Sequence, residues 1–328
     1  MRQYLVTGGA GFIGSHVAEA LVKRGESVKV LDNFFTGKRE NLASIDGAFE
    51  LIEGDVRNAA LCQEVLEGVD AVVHLAALHE VVRSVECPME THDVNVTGTL
   101  NLLLGAHRSG IKKFVFASSS AVYGENPAIP RVETMTPAPS SSPYAVTKQS
   151  GEYYCQLFSI LYGLETVCLR FFNVYGPRQD AASTYAAVIP KFISLLLAET
   201  APIIYGDGEQ SRDFTFIADC VAGVLAACET SGLSGRVFNI GTGQRTTVNH
   251  LCAQLQTLLH TNLSASYGPP QPGDLPHDQA DIGQAARFLH FRPQYDLVHG
   301  LRETIEHMRC ANLSEKSAIT SARELRAR

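Results

Sequence analysis

The first half of the chain alternates short apolar runs with longer amphipathic ones. Residues 3–7, 27–31, 49–53, 71–75, 113–117 and 166–170 have the length and apolar content of buried strands. Between them, 12–24, 58–66, 95–109 and 144–162 carry apolar residues at helical spacing. Repeated strand–helix alternation with strands this short predicts a Rossmann-type α/β fold, a doubly wound parallel sheet. Ligands of such sheets lie beyond the carboxyl ends of the strands. Gly8, Asp32, Asp55, Ala76 and Ser119 each end or follow a predicted strand, so they are expected to share one edge.

After Gly176-Pro177-Arg178 the pattern loosens. A helix over 185–197 and short strands near Ile203 and Phe214 predict a smaller second domain. Residues 236–240 read as another buried strand, which returns the chain to the sheet. Residues 247–259 and 298–308 read as helices, and 311–328 as a charged tail that is a frayed helix or disordered. The proline- and serine-rich stretch 127–143 precedes the 144–162 helix as a loop that covers a site or simply connects.

The turn after the first strand, Thr7-Gly8-Gly9-Ala10-Gly11-Phe12-Ile13-Gly14, opens an amphipathic run. Gly8, Gly11 and Gly14 suit a tight turn, a close approach of backbone to pyrophosphate, and helix-on-strand packing. The helix N-terminus offers N–H groups and partial positive charge to phosphates. The second strand ends at Asp32, an acid placed to accept the ribose hydroxyls of NAD and to repel the extra phosphate of NADP, with Lys38 and Arg39 close behind. Strand, glycine turn, helix and distal acid together point to bound NAD.

Tyr144 and Lys148 stand four residues apart on a predicted helix and so share a face. A phenol with a pKa of about 10 is a poor base at neutral pH. A lysine cation and an oxidised nicotinamide ring both favour the phenolate, so the pair reads as a tuned proton acceptor beside an oxidising cofactor.

Composition narrows the classes. A net charge of -7 without a long basic run argues against a nucleic-acid surface, and no stretch approaches a membrane span. The first strand begins almost at once, which leaves no room for a signal peptide and predicts a cytoplasmic protein. The 8 cysteines show no C-x-x-C spacing, and the 11 histidines form no metal-binding cluster, so buried reduced thiols and no metal are expected. His74, within Val72-Val73-His74-Leu75, reads as a core residue with its hydrogen bonds satisfied.

These features resemble the extended short-chain dehydrogenase/reductase family, specifically its nucleotide-sugar epimerases. The resemblance covers about residues 1–309 through Thr7–Gly14, Asp32-Asn33, Gly54-Asp55-Val56-Arg57, Leu75-Ala76-Ala77, Asn95-Val96-Thr97-Gly98-Thr99, Ser118–Gly124, Tyr144–Lys148, Arg170-Phe171-Phe172-Asn173 and Gly206-Asp207-Gly208. It implies a Rossmann domain over 1–179 with return segments near 213–243, a smaller α/β substrate-binding domain over 180–310, and the tail. It implies Ser119, Tyr144 and Lys148 as catalytic residues. NAD contacts fall on Gly8, Gly11, Phe12, Ile13, Gly14, Asp32, Asn33, Asp55, Val56, Leu75, Ala76, Ala77, Asn95, Ser118, Tyr144, Lys148 and Phe171. Substrate contacts fall on Ser119, Ser120, Tyr144, Asn173, Arg212, Gln271 and Asp274. The activity implied is inversion of C4 of a UDP-hexose, UDP-glucose/UDP-galactose or their N-acetyl forms, through a transient 4-keto sugar. A homodimer through a four-helix bundle of 95–109 and 144–162 is implied as well.

The serine run separates this reading from relatives. The family's dehydratases place an acid pair after the catalytic serine or threonine, and its decarboxylases a glutamate; here Ser120 and Ala121 stand there. Without a positioned acid, elimination loses its proton donor. Two departures bear on substrate. Gln271 replaces the arginine usual before Pro-Gly-Asp, which weakens a diphosphate clamp. Asp278 falls where some relatives use residue size to admit or exclude an N-acetyl group; it leaves room, and its charge, facing the pocket, would disfavour a uronate. The other readings are a UDP-uronate epimerase or atypical dehydratase, and an NAD(H)-binding sensor or scaffold.

Overall fold

A computed structural model describes residues 1–47, 49–138, 142–181, 187–270 and 276–326. Seven described strands, β1 (Gln3–Thr7), β2 (Ser27–Asp32), β3 (Glu50–Glu53), β4 (Ala71–His74), β5 (Lys113–Ser119), β6 (Glu165–Phe171) and β7 (Arg236–Ile240), form one sheet. Their order is β7-β6-β5-β4-β1-β2-β3, and every neighbouring pair is parallel. Both faces are covered, which is why these strands read as continuous apolar runs: Val72, Val73, Phe114, Val115 and Phe116 are all buried. The helices α1 (Phe12–Lys23) and α4 (Ile217–Glu229) pack on one face. The helices α2 (Gly98–Arg108) and α3 (Pro143–Tyr162) pack on the other, over a core of Leu5, Leu31, Val72, Phe114, Phe116, Leu102, Phe158 and Cys168. This is the doubly wound fold the sequence predicts, including the return of 236–240 to the sheet.

Local chemistry sets the ends of α3. Ser142 accepts a hydrogen bond from the Ala145 N–H, Pro143 stands in the first turn, and Gly163 ends the helix at φ 68°. Two elements differ from expectation. The helix expected from residue 95 is regular only from Gly98, because Asp93–Thr97 forms a π-helical turn that buries Val94, Asn95 and Val96 together. The tail continues the last helix, which runs Leu297–Arg326; the Ala-, Leu-, Glu- and Arg-rich stretch holds no Gly or Pro after Gly300 to stop it.

The chain divides into two compact units. The first comprises Met1–Val174, Arg212–Arg245 and His277–Gln294 and holds the sheet. The second comprises Tyr175–Ser211, Thr246–Pro276 and Tyr295–Arg328. In it the helices Val188–Leu197, Val248–Leu259 and Leu297–Arg326 pack together, and Ile203–Tyr205 pairs in parallel with Ser266–Gly268. The helix expected over 185–197 begins at Val188, its first residues lying outside those described. Among the described residues no helix is long and apolar enough to cross a membrane.

Candidate active site

The strand order reverses between β1 and β4, and the loops leaving these strands meet there. A Cβ on Gly8, which has φ +67°, would lie 2.7 Å from the Ala76 nitrogen, and one on Gly14 would lie 2.0 Å from the Gly8 carbonyl oxygen. Glycine is therefore what allows turn, loop and helix to close on one another. No side chain caps α1 at Gly11, so the N-terminal turn containing Phe12 and Ile13 presents backbone donors to an anion. Asp32, buried at the end of β2, accepts from the N–H of Ala10 (2.9 Å) and of Phe34 (2.8 Å). Burial pushes its carboxyl above the usual range, and the two backbone donors pull it back. Asn33 donates to Asp55 (2.9 Å), and Arg57 pairs with Asp55 at 2.7 Å, holding that carboxyl down at about 2. Val56 is buried against Gly98. Donors at a helix start, a carboxylate beyond β2 and a backbone cradle fit a dinucleotide.

Behind this cradle runs a chain of hydrogen bonds centred on His74, which the sequence marks only as a core residue. The Ala76 N–H donates to Thr7 Oγ1 (3.3 Å), which lies 2.7 Å from His74 Nδ1. His74 Nε2 lies 2.9 Å from Thr99 Oγ1, which donates to the Asn95 carbonyl (2.6 Å). The hydroxyl of Thr99 is spent on that carbonyl, so Nε2 carries the proton and Nδ1 accepts from Thr7. Burial holds the His74 pKa down at about 3, with Lys148 adding to the effect. Asn95 in turn accepts from the Leu78 N–H (2.8 Å) and donates to the Leu78 carbonyl (2.9 Å) and to Thr147 (3.0 Å). Leu75, Ala76 and Ala77 are thereby tied to α3.

Ser119, Tyr144 and Lys148 come together where β5 meets α3. Ser119 acts on the Tyr144 phenol, lowering its pKa, and its Oγ accepts from the Ala121 N–H (3.2 Å). Lys148 Nζ donates to the Ala117 carbonyl (2.7 Å) and lies 5.9 Å from the centre of the Tyr144 ring. The expected acidification of the phenol by lysine is not what the protein alone achieves. Burial pushes Tyr144 above its ordinary value and only the Ser119 hydrogen bond opposes it. Burial also lowers Lys148 to about 8, with Cys155 and Glu152 acting the other way.

Two buried ion pairs flank these residues, and neither is visible in local spacing. Arg170 donates through Nε (2.8 Å) and Nη2 (2.7 Å) to Glu152, and Ser118 donates to the same carboxylate (2.5 Å). Ser118, expected at the cofactor, thus has its hydroxyl committed to Glu152. Asp278 is brought to the site by backbone bonds between Arg131 and the segment that carries it: Arg131 N–H to the Gln279 carbonyl (2.7 Å) and Asp281 N–H to the Arg131 carbonyl (2.8 Å). Its buried carboxyl lies 3.6 Å from Arg131 Nε and is influenced by Ser120. Burial raises its pKa; Ser120, Arg131 and Arg212 lower it.

Phe171 pairs in register with Ser119 at the end of β6. Asn173 follows at φ 23°, a conformation few side chains adopt, with its carbonyl accepting from Thr215 (3.2 Å). Gln271 and Asp274 lie outside the described residues.

Comparison with known proteins gives the family. The family model described as NAD dependent epimerase/dehydratase matches residues 4–241. The UDP-glucose 4-epimerase of Mycolicibacterium smegmatis is 38% identical over 309 residues, 93% of this chain and 98% of that protein. The structure of UDP-N-acetylglucosamine 4-epimerase from Methanobrevibacter ruminantium, in complex with UDP-N-acetylmuramic acid, superposes with a TM-score of 0.91 at 40% identity, covering 94% of this chain and 99% of that one. That of the UDP-glucose 4-epimerase of Thermotoga maritima with UDP-glucose gives 0.90 at 38% identity, with the same coverage.

Proposed function

The chain belongs to the NAD dependent epimerase/dehydratase family and is an isomerase that uses NAD, and from that premise we propose that it inverts C4 of a UDP-hexose, UDP-glucose/UDP-galactose or their N-acetyl forms, through a transient 4-keto sugar. The observation that carries the reading is the meeting of Tyr144 and Lys148, both buried, with the half-buried Ser119. Bound NAD supplies hydride acceptance and return at the sugar carbon. Tyr144 takes the proton of the 4-hydroxyl and gives it back after the keto sugar has turned over. Ser119, which acts on the phenol, shares that proton. Lys148 holds a positive charge beside the phenolate, and Asp32 holds the ribose of the cofactor. Asn173 and Arg212 are assigned to the sugar diphosphate; an arginine fork suits its oxygens.

Asp278 bears on the sugar. A carboxyl beside Ser120 tolerates a neutral hexose and repels a uronate, which favours hexoses with an uncharged C6.

We assign the exposed face of α3, Val146, Tyr153, Leu157 and Ile160, to a homodimer contact in a four-helix bundle. Light scattering that returns a monomer at micromolar concentration removes this part.

Incubation with a panel of UDP-, GDP- and dTDP-sugars, read by NMR, tests the function. The expected result is an equilibrium mixture of C4 epimers of equal mass from a UDP-hexose. Loss of water, loss of carbon dioxide, or no conversion of any sugar overturns it.

A further inference from the structure

Glu152 stands one helical turn beyond Lys148 on α3, so the two side chains share a face. Its carboxylate is nearly without solvent and takes three hydrogen bonds: two from the guanidinium fork of Arg170 and one from the Ser118 hydroxyl. Ser118 and Arg170 are themselves register partners in β5 and β6. The carboxylate therefore pins two adjacent strands to the helix at one point. That point lies one residue before Ser119 and one turn after Lys148. The guanidinium is further held over the Tyr123 ring, 4.6 Å from its centre, and Tyr123 donates to Asn239 at 2.6 Å.

A buried ion pair is a poor way to gain stability, since desolvating both charges offsets most of their attraction. Its retention here calls for another use. We propose that Glu152 is a positioning residue: clamped by Arg170 and gripping Ser118, it keeps Lys148 charged and fixes the Ser119 end of β5 against the helix that carries Tyr144. The proposal rests on the acid–base assignment of Tyr144 and Lys148 given above.

The groups around Lys148 define what else could act on its charge. On its own helix they are Tyr144, Glu152 and Cys155. From β4 and the loop after it come His74 and His79, both of which feel the lysine. From β6 come Arg170 and Cys168, the latter influenced by Cys155. From β5 come Phe116, 5.1 Å from Nζ, and the Ala117 carbonyl, neither of which titrates. His74 is neutral, and the neighbouring Cys155 together with burial pushes the Cys168 thiol up, so it stays uncharged. Against burial, Cys155 and Glu152 hold the Lys148 pKa up, and Glu152 is the carboxylate of the two, one turn along the same helix face.

The test compares NAD-loaded wild type with Glu152→Gln. Two quantities are read: the pH profile of kcat/KM on a UDP-hexose, and the titration of Lys148 by carbon NMR of protein labelled at lysine Cε, assigned with Lys148→Met. The variant is expected to move both the basic limb and the lysine midpoint down by about one pH unit, while Glu152→Asp, which keeps the charge, returns both toward wild type. A pair that served packing alone would lower the rate at every pH and leave both positions where they were, and that outcome overturns the proposal. Should Glu152→Gln not fold, the paired variant Glu152→Gln/Arg170→Gln leaves no unmatched charge buried; a smaller downward shift is expected, because the Arg170 cation is lost with the anion, and an unmoved lysine midpoint there is equally fatal. Wild type that converts no sugar would sink the acid–base assignment alone, because the lysine titration reads the charge effect without turnover.

Discussion

The imidazole Nε2 of His74 lies 2.9 Å from the hydroxyl of Thr99, and with Thr7 on its other nitrogen the ring has a hydrogen-bond partner on each side and no room for a second proton. A protonated ring would set an N–H against the Thr7 hydroxyl, whose proton is already directed at Nδ1. With its pKa near 3 in the folded chain against an ordinary 6.5, His74 stays neutral while the unfolded chain gains a proton below 6.5. Stability must therefore fall as pH drops from 6.5 toward 3, at about 1.4 kcal/mol per pH unit where the difference is complete. Urea unfolding of wild type and His74→Gln between pH 7 and 4 checks this. The variant is expected to be about 1–3 kcal/mol weaker at pH 7, and shallower in its acid dependence by that slope.

Tyr144 presents the opposite problem, since burial makes its phenol a weaker acid than in water. Only Ser119 pulls the other way, so the pyridinium charge of the cofactor is expected to supply the rest. The ultraviolet band of the phenolate should appear at lower pH in NAD-loaded protein than in stripped protein, and Tyr144→Phe should lose that component. The same variant should retain NAD and lose turnover by about 10²–10⁴-fold. A Phe variant turning over at the wild-type rate would leave the phenol without a role.

Gly151, on the turn of α3 after Lys148, has Phe116 against it. A Cβ there would meet the ring at 2.3 Å. Gly151→Ala must push helix from strand or rotate the ring, at a cost of about 1–3 kcal/mol. A lowered Tm with a reduced kcat is the expected pair of results, because the same displacement separates Tyr144 from Ser119. An unchanged Tm would mean the contact is loose.

Asp278 should act as a filter on charge. Asp278→Asn is expected to raise the use of UDP-glucuronate relative to UDP-glucose by about tenfold, since like charges in close apposition are costly. Competition assays with both sugars present measure the ratio directly. No change in the ratio would place the carboxyl away from the sugar.

The sheet, the glycine turn and the Tyr144–Lys148 pair were legible in the sequence because each depends on local spacing: apolar runs, a strand–turn–helix order, an i,i+4 interval. What the sequence could not display is what the fold brings together over long separations. Glu152 meets Arg170 and Ser118 across two strands, and Asp278 reaches Ser120 only through backbone bonds to Arg131. His74 read as core, correctly in burial, but its two threonine partners stand on different elements and so gave no periodic signal. The π-helical turn at Asp93–Thr97 escaped for another reason: it adds one residue to a turn without disturbing the apolar pattern.

The first unit is assembled from three separate stretches of polypeptide, and this constrains how the protein is made. Strand β6 stays an open edge until residues 236–240 have emerged from the ribosome, and Ser120 waits longer still for Asp278. A nascent chain paused anywhere between residues 175 and 235 therefore carries its phenol and lysine but lacks the wall beside them. Asp278 joins the residues around Ser120 late in translation, after most of the second unit has already been synthesised.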